Sequence, residues 1–257
     1  MRAKIVEVKF GPKKIPLLLH GTSPFVGAGQ FGLRAREWYE YFFHHPKRIA
    51  ELFNYFCKLG FPGVHVIGYP TIIEAAKLTK ENNPMKVTVS LLPNDWEENL
   101  TQVAQLEPEV VFIHSAMTDM FLQKHDEKIF SCFQAIRDQT NALPGIATHD
   151  TFQTLLSFQK SSHALFKEDF GLLLPINTSG WGMGGSPTKI IDLLNTLGNH
   201  PVMAMKTLAA GQLSPGKALD FVFRVPQVIA ATVGMTTKEE ATEIASIGRK
   251  LLFEYRK

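Results

Sequence analysis

Short runs rich in leucine or β-branched residues alternate with amphipathic helical segments along almost the whole chain. That alternation of periodicities builds parallel βαβ units rather than an antiparallel meander. Strands are expected at residues 17–19, 64–67, 86–91, 110–113, 145–147, 172–176, 202–205 and 228–233. Helices are expected at 46–59, 71–82, 96–106, 127–141, 151–161, 187–197, 215–223 and 237–255. Asp150-Thr151, Ser186-Pro187 and Ser214-Pro215 supply the polar and proline punctuation of helix starts. Eight strands, each followed by a helix, close into an α/β fold of the (β/α)8 TIM-barrel type. Ahead of it, residues 3–10 read as a strand that Gly11-Pro12 turns into the apolar run from Ile15 to Leu19, giving a short N-terminal β-hairpin. A doubly wound open sheet would carry a glycine fingerprint after its first strand; here Gly27-Ala28-Gly29 leads into an aromatic insertion. That insertion, 23–45, holds Trp38, Tyr39, Tyr41, Phe42 and Phe43 and is expected to contain its own helix. Residues 1–257 read as a single barrel domain.

With 45% hydrophobic and 20% charged residues, the chain can bury a sizeable core. A net charge of +3, with lysine and arginine scattered, argues against nucleic acid or an anionic membrane as partner. Cys57 and Cys132 lie in apolar helical stretches, which points to a reducing compartment rather than a disulfide framework. The apolar runs are too short for a membrane span, and residues 1–10 lack a signal-peptide core, so a cytoplasmic protein is expected. Nothing in the pattern fixes an oligomeric state.

Polar residues recur where the strands end: His20 and Thr22, Tyr69, residues 92–95, His114 and Ser115, Thr148 and His149, Asn177, Lys206, and Gly234. The carboxyl ends of barrel strands are where such folds keep their chemistry. His20, His114 and His149 would be a metal set only if three strands brought them together; without a His-x-His pair, and with Asp150 the sole nearby carboxylate, no metal is expected. An ammonium at the end of a buried strand, Lys206, suits Schiff-base chemistry, an anion anchor or an ion pair. The turn Ala209-Ala210-Gly211 and the segment Gly234 to Thr237 stand where barrels present backbone N–H groups to a phosphate. Trp181, within the glycine-rich stretch from Gly180 to Pro187, is either a stacking surface or a lid.

From Lys206 onward the sequence resembles the aldo/keto reductase superfamily. The carrying segments are Thr207-Leu208-Ala209-Ala210-Gly211-Gln212-Leu213 and Val233-Gly234-Met235-Thr236-Thr237-Lys238-Glu239-Glu240. Upstream, residues 15–22 resemble the family's first strand, Val111-Phe112-Ile113-His114 the strand bearing its catalytic histidine, and Gly145-Ile146-Ala147-Thr148-His149 the strand that contacts nicotinamide. The resemblance implies an oxidoreductase that acts on a small carbonyl compound with NADP or NAD. It implies a catalytic role at His114, with Lys206 or Tyr69 as the other candidates for proton source, and cofactor contacts are expected at Thr148, His149, Asn177, Ala210, Gly211, Gly234, Thr236 and Thr237. The family also pairs an aspartate and a tyrosine after the second strand with a lysine ending the third. Here Val66-Ile67-Gly68-Tyr69-Pro70 has no aspartate and an early tyrosine, and Val89-Ser90-Leu91-Leu92-Pro93 has no lysine. A Schiff-base lyase or aldolase using Lys206, a metal-dependent hydrolase and a non-catalytic small-molecule-binding barrel are the alternatives.

Overall fold

The computed structural model describes residues 7–124, 126–160 and 168–255. A hairpin of β1 (Glu7–Phe10) and β2 (Lys13–Pro16) precedes a closed barrel of β3 (Leu18–Gly21), β4 (Gly63–Ile67), β5 (Lys86–Ser90), β6 (Val110–Ile113), β7 (Leu143–Ala147), β8 (Gly171–Pro175), β9 (Val202–Met205) and β10 (Val228–Gly234). Neighbouring barrel strands are parallel, and β10 closes the ring against β3. The outer helices are α2 (Pro46–Lys58), α3 (Pro70–Lys80), α4 (Trp96–Ala104), α6 (Lys128–Gln139), α7 (Thr151–Lys160), α8 (Pro187–Leu194), α9 (Pro215–Arg224) and α10 (Lys238–Tyr255). Within the insertion, α1 (Leu33–Phe42) is the expected extra helix. The first four residues of the predicted strand 3–10, and Ser161 at the end of a predicted helix, lie outside the described residues. None of the described helices is long and apolar enough to cross a membrane.

The hairpin plugs the amino end of the barrel. Phe10, fully buried, meets Phe112 of β6 edge to face with ring centroids 6.5 Å apart. Side chains cannot be added opposite these rings: a Cβ on Gly171 would stand 2.6 Å from Phe10, and one on Gly145 would stand 2.5 Å from Phe112. On the β4 side, a Cβ on Gly63 would come within 2.6 Å of Pro16. Pro16 lacks the N–H needed to carry a ladder onward, and the apolar run read as one strand is divided there between β2 and β3.

One helix was not foreseen. Directly after His114, α5 (Ser115–Lys124) inserts before α6. Its sequence, SAMTDMFLQK, has neither a proline start nor a clean apolar stripe, so nothing separates it from a loop.

Among the described residues, two buried histidines face opposite ways. His20 of β3 points outward into Phe25, Phe53 and Phe56, with centroids 5.2–5.9 Å away. Burial pushes its pKa down from 6.5 to about 4. His65 of β4 points inward, 2.9 Å from Thr88 Oγ1 and 3.1 Å from Ser90 Oγ, and burial pushes it down to about 3. Between pH 6.5 and these lowered values the unfolded chain binds protons that the folded chain refuses. Stability is therefore level above the unfolded pKa and declines as the pH falls below it. His20→Phe, which keeps an aromatic in an aromatic shell, is expected to recover about 2 kcal/mol of the stability lost at about pH 5. Urea midpoints at about pH 7.5 and about pH 5 check this; an unchanged pH dependence in the variant would overturn it.

Candidate active site

At the carboxyl end of the strands lies a cleft of about 870 Å³. The insertion forms one wall, contributing Phe31, Arg34 and Trp38. It is rooted by Phe25, buried between Phe42 and Phe53, and by Gly27, whose φ of 63° and contact with Tyr39 leave no room for a side chain. Tyr69, just beyond β4, also lines the cleft and sets its ring against Phe43 at 5.7 Å. His65 and Ser90 reach it from the barrel interior.

Opposite the insertion, β6, β7 and β9 bring titratable groups together. His114, at the end of β6, accepts the Ala116 N–H on Nδ1 at 3.1 Å, which leaves the neutral ring's proton on Nε2. Partial burial lowers its pKa. The His149 ring stands nearly perpendicular to that of His114, centroids 6.1 Å apart, and Ser115 Oγ is 3.1 Å from both of its ring nitrogens. Desolvation by the cleft walls, then the charges of Lys206 and His114, hold His149 below the ordinary imidazole value although part of the ring is exposed. Asp119, from α5, accepts Thr148 Oγ1 at 2.6 Å and the His149 N–H at 3.4 Å. Burial raises its pKa, and the Thr148 bond counters that.

Lys206 follows β9 in the left-handed region, with φ 55°. Its Nζ lies 5.4 Å from the centre of the Trp181 ring, within range of a cation–π contact. Half-burial lowers its pKa, and the Asp119 carboxylate pulls the other way. Lys206 lines the cleft; Trp181 stands behind it, outside the lining. Asn177 is also behind the wall, where it ties the glycine-rich loop to β9. Its Oδ1 accepts Ser179 N–H, Ser179 O–H and Trp181 N–H at 2.9–3.2 Å, and its Nδ2 donates to Trp181 O and Lys206 O. Thr148 is likewise buried, engaged with Asp119, Thr154 and the Asp150 N–H. Of the residues singled out by sequence, Tyr69, His114, His149, Lys206, Ala210, Gly211, Gly234 and Thr236 line the cleft, whereas Thr148 and Asn177 are buried behind it and Thr237 is exposed outside the lining.

The turns after β9 and β10 differ in what they offer. Ala209, Ala210 and Gly211 all have positive φ, 46°, 56° and 85°, a conformation that costs a non-glycine residue roughly 1–2 kcal/mol. After β10, Glu240 bends back over the start of α10: its Oε2 accepts Thr236 N–H at 2.6 Å, Thr236 O–H at 3.1 Å and Thr237 N–H at 3.3 Å. Glu240 N–H donates to Thr237 Oγ1, completing a capping box.

The ends of β4 and β5 carry no charge. Buried Asn99 bridges them, donating to Gly68 O at 2.7 Å and accepting the Leu92 N–H at 2.9 Å. Its Oδ1 would stand 2.2 Å from a Cβ on Gly68. Leu91 is fully buried. His20 lies outside the group altogether, and no grouping of three or more metal-capable side chains occurs among the described residues. Asp119, Asn99 and Arg34 went unremarked in the sequence because no motif marks them; Glu240 carried a readable signal, Thr237-x-x-Glu240.

No family model and no curated protein matches this chain. Solved structures do. A presumed aldo-keto reductase from Pseudomonas aeruginosa superposes with a TM-score of 0.68 at 15% identity, covering 98% of both chains. An aldo/keto reductase from Klebsiella pneumoniae in complex with NADP and acetate gives 0.61 at 14%, covering 98% of this chain and 95% of that one. An aldo-keto reductase from Bacillus halodurans gives 0.57 at 10%, covering 98% and 96%. The chain thus has the fold of aldo-keto reductases.

Asp119 is the carboxylate that props up the Lys206 pKa. Asp119→Asn keeps an oxygen for Thr148 and removes the charge, so the Lys206 pKa is expected to fall further. Its acylation at fixed mildly alkaline pH should quicken several-fold, read by peptide mass spectrometry; an unchanged or slower rate would contradict the coupling.

Proposed function

We propose, on the premise of the aldo-keto reductase barrel, that this protein is a cytoplasmic nicotinamide-dependent oxidoreductase that interconverts a small carbonyl compound and its alcohol. The observation that carries this reading is the hydrogen-bonded state of His114: with Nδ1 taken by a backbone N–H, the cleft wall offers an Nε2–H donor where a carbonyl oxygen can be held. The cleft fits the cofactor in size and lining. Its volume lies within the roughly 300–1,000 Å³ of small-molecule sites, and it offers Trp38, Phe31 and Tyr69 as flat apolar surface beside Arg34 and Lys206 as cations.

When bound, a reduced nicotinamide supplies the hydride. The protein's part is to orient and to manage a proton. His114 polarises the carbonyl through Nε2–H; as a neutral imidazole it holds the oxygen without readily releasing its proton. Lys206 is the better acid, because half-burial brings its ammonium closer to the operating pH. Ser115 and Asp119 fix His149 from both ends, through its ring and its backbone N–H. The charge roles of the absent strand-end aspartate and lysine thus move across the mouth to β6, β7 and β9. Tyr69 supplies an aromatic wall on the substrate side.

Carbonyl reduction should then decline as pH rises through the lowered Lys206 pKa, since the ammonium is the active form. Lys206→Met is expected to cut kcat about 10²–10⁴-fold, with the cofactor Kd changed only a few-fold; His114→Gln, which retains a donor, should lose less than His114→Ala. Full activity of Lys206→Met would remove the acid from this scheme, and no binding of either reduced cofactor at millimolar concentration would remove the scheme. The lowered amine pKa also favours a second reading, imine formation between Lys206 and a carbonyl substrate. Borohydride trapping tests it: a reduced adduct on Lys206 supports it, and an unmodified Lys206 excludes it.

A further inference from the structure

The start of α10 lies where a barrel holds a phosphate, after its eighth strand, yet the two amides that lead into it are already taken. Thr236 and Thr237 give their N–H groups to Glu240, and Thr236 adds its hydroxyl. A phosphate drawn to those donors would have to displace a carboxylate from three hydrogen bonds and then face Glu243, which lines the same wall. Lys238, on the same turn, gives no help: its Nζ lies 5.8 Å from the centre of the Tyr55 ring, and it does not line the cleft. The cations that do line it among the described residues are Arg34 and Lys206.

Strand order places this acidic end relative to the chemistry. In the ring β10-β3-β4-β5-β6-β7-β8-β9, β6 is four strands from β10 on either side, so His114 and Glu240 stand across the mouth from each other. A dinucleotide with its reactive ring at the histidines would direct its adenosine toward Gly234, Thr236 and Glu240. We infer that Glu240 makes this cleft select NADH over NADPH, the carboxylate accepting an adenosine ribose hydroxyl and opposing a 2′-phosphate. This rests on the cofactor reading above. Glu240 Oε1 has no hydrogen-bond partner among the described residues, so one acceptor faces a ribose while Oε2 holds the cap. Arg34 then serves the pyrophosphate, which both dinucleotides share.

The test is equilibrium titration of the full chain with NADH and with NADPH, followed by nicotinamide fluorescence, for the natural sequence, Glu240→Gln and Glu243→Gln. A carboxylate beside a phosphate dianion is expected to weaken NADPH relative to NADH by about tenfold or more. Glu240→Gln keeps the capping oxygen and loses the charge, so it should cut that preference at least about threefold while changing NADH affinity less. If its melting temperature falls, Glu243→Gln reads the same electrostatic effect without touching a capping bond and should narrow the ratio in the same direction. NADPH binding as tightly as NADH, or a ratio unmoved in both variants, overturns the selectivity assigned to Glu240. Failure of both dinucleotides to bind overturns the cofactor reading itself, and the selectivity with it.

Discussion

Everything at the mouth of this barrel depends on how its interior is filled. Eight parallel strands enclose a space that must be packed to crystal density, and one edge-to-face pair, Phe10 with Phe112, occupies its lower part. The pair fits because the facing strands carry Gly145 and Gly171, where any Cβ would collide with a ring. Phe10 arrives on the hairpin, so β1 and β2 complete the core. Above this aromatic layer the interior turns polar: His65 meets Phe112 at 5.9 Å and passes its hydrogen bonds to Thr88 and Ser90. A cleft floor of satisfied polar groups can exist there only because the apolar volume below is full.

That vertical order determines the electrostatics of the mouth. Groups at the strand ends are half-buried, so desolvation is the first cause of the shifts at His114, His149, Asp119 and Lys206. Desolvation makes the histidines poorer bases, Lys206 a stronger acid and Asp119 a weaker one. The Asp119–Lys206 attraction opposes this for both partners and keeps a cation and an anion in a place that disfavours each alone. Strain points to the same spot, because Lys206, Ala209 and Ala210 hold left-handed backbone within five residues. Such geometry persists where the surroundings over-determine it, here through Asn177, whose amide grips both Lys206 O and the loop beneath Trp181.

Much of this was legible in the sequence. Eight strands could be counted because parallel barrel strands are buried on both faces and read as short apolar runs, and most of their ends could be marked because the run stops at or near a polar residue. The strand ends then gave His114, His149 and Lys206 as cleft residues. Orientation was harder. His20 ends its run just as His114 does, yet one residue of register turns its side chain from the mouth into Phe25, Phe53 and Phe56. Asp119 was invisible because α5 lacks helix punctuation, and a carboxylate that reaches its partners through a helix shows no spacing rule. Asn99 was hidden for a related reason: its contacts, with Gly68 and Leu92, join segments 31 and 7 residues away.

Asn99 also explains why the strand-end charges of the resembled family are not simply missing. A lost side chain leaves a cavity that neighbours fill at a cost or that water enters. Here the space beside Gly68 is occupied by an amide that satisfies a carbonyl on one strand exit and an N–H on the next. An aspartate at position 68 would meet Asn99, and a lysine at 91 would have to leave a fully buried site. The β4–β5 side is therefore built as a neutral wall, with Tyr69 as its face to the cleft. Ionisable groups gather instead on β6, β7 and β9, with the Glu240 and Glu243 carboxylates on the β10 side. A ligand of the proposed kind, entering between the neutral and charged walls, would be oriented before any bond is made. On the reading proposed above, its polar reacting end would face the histidines and Lys206 and its hydroxylated end Glu240, so the distribution of charge around the mouth, rather than any single residue, would set how the cleft is read.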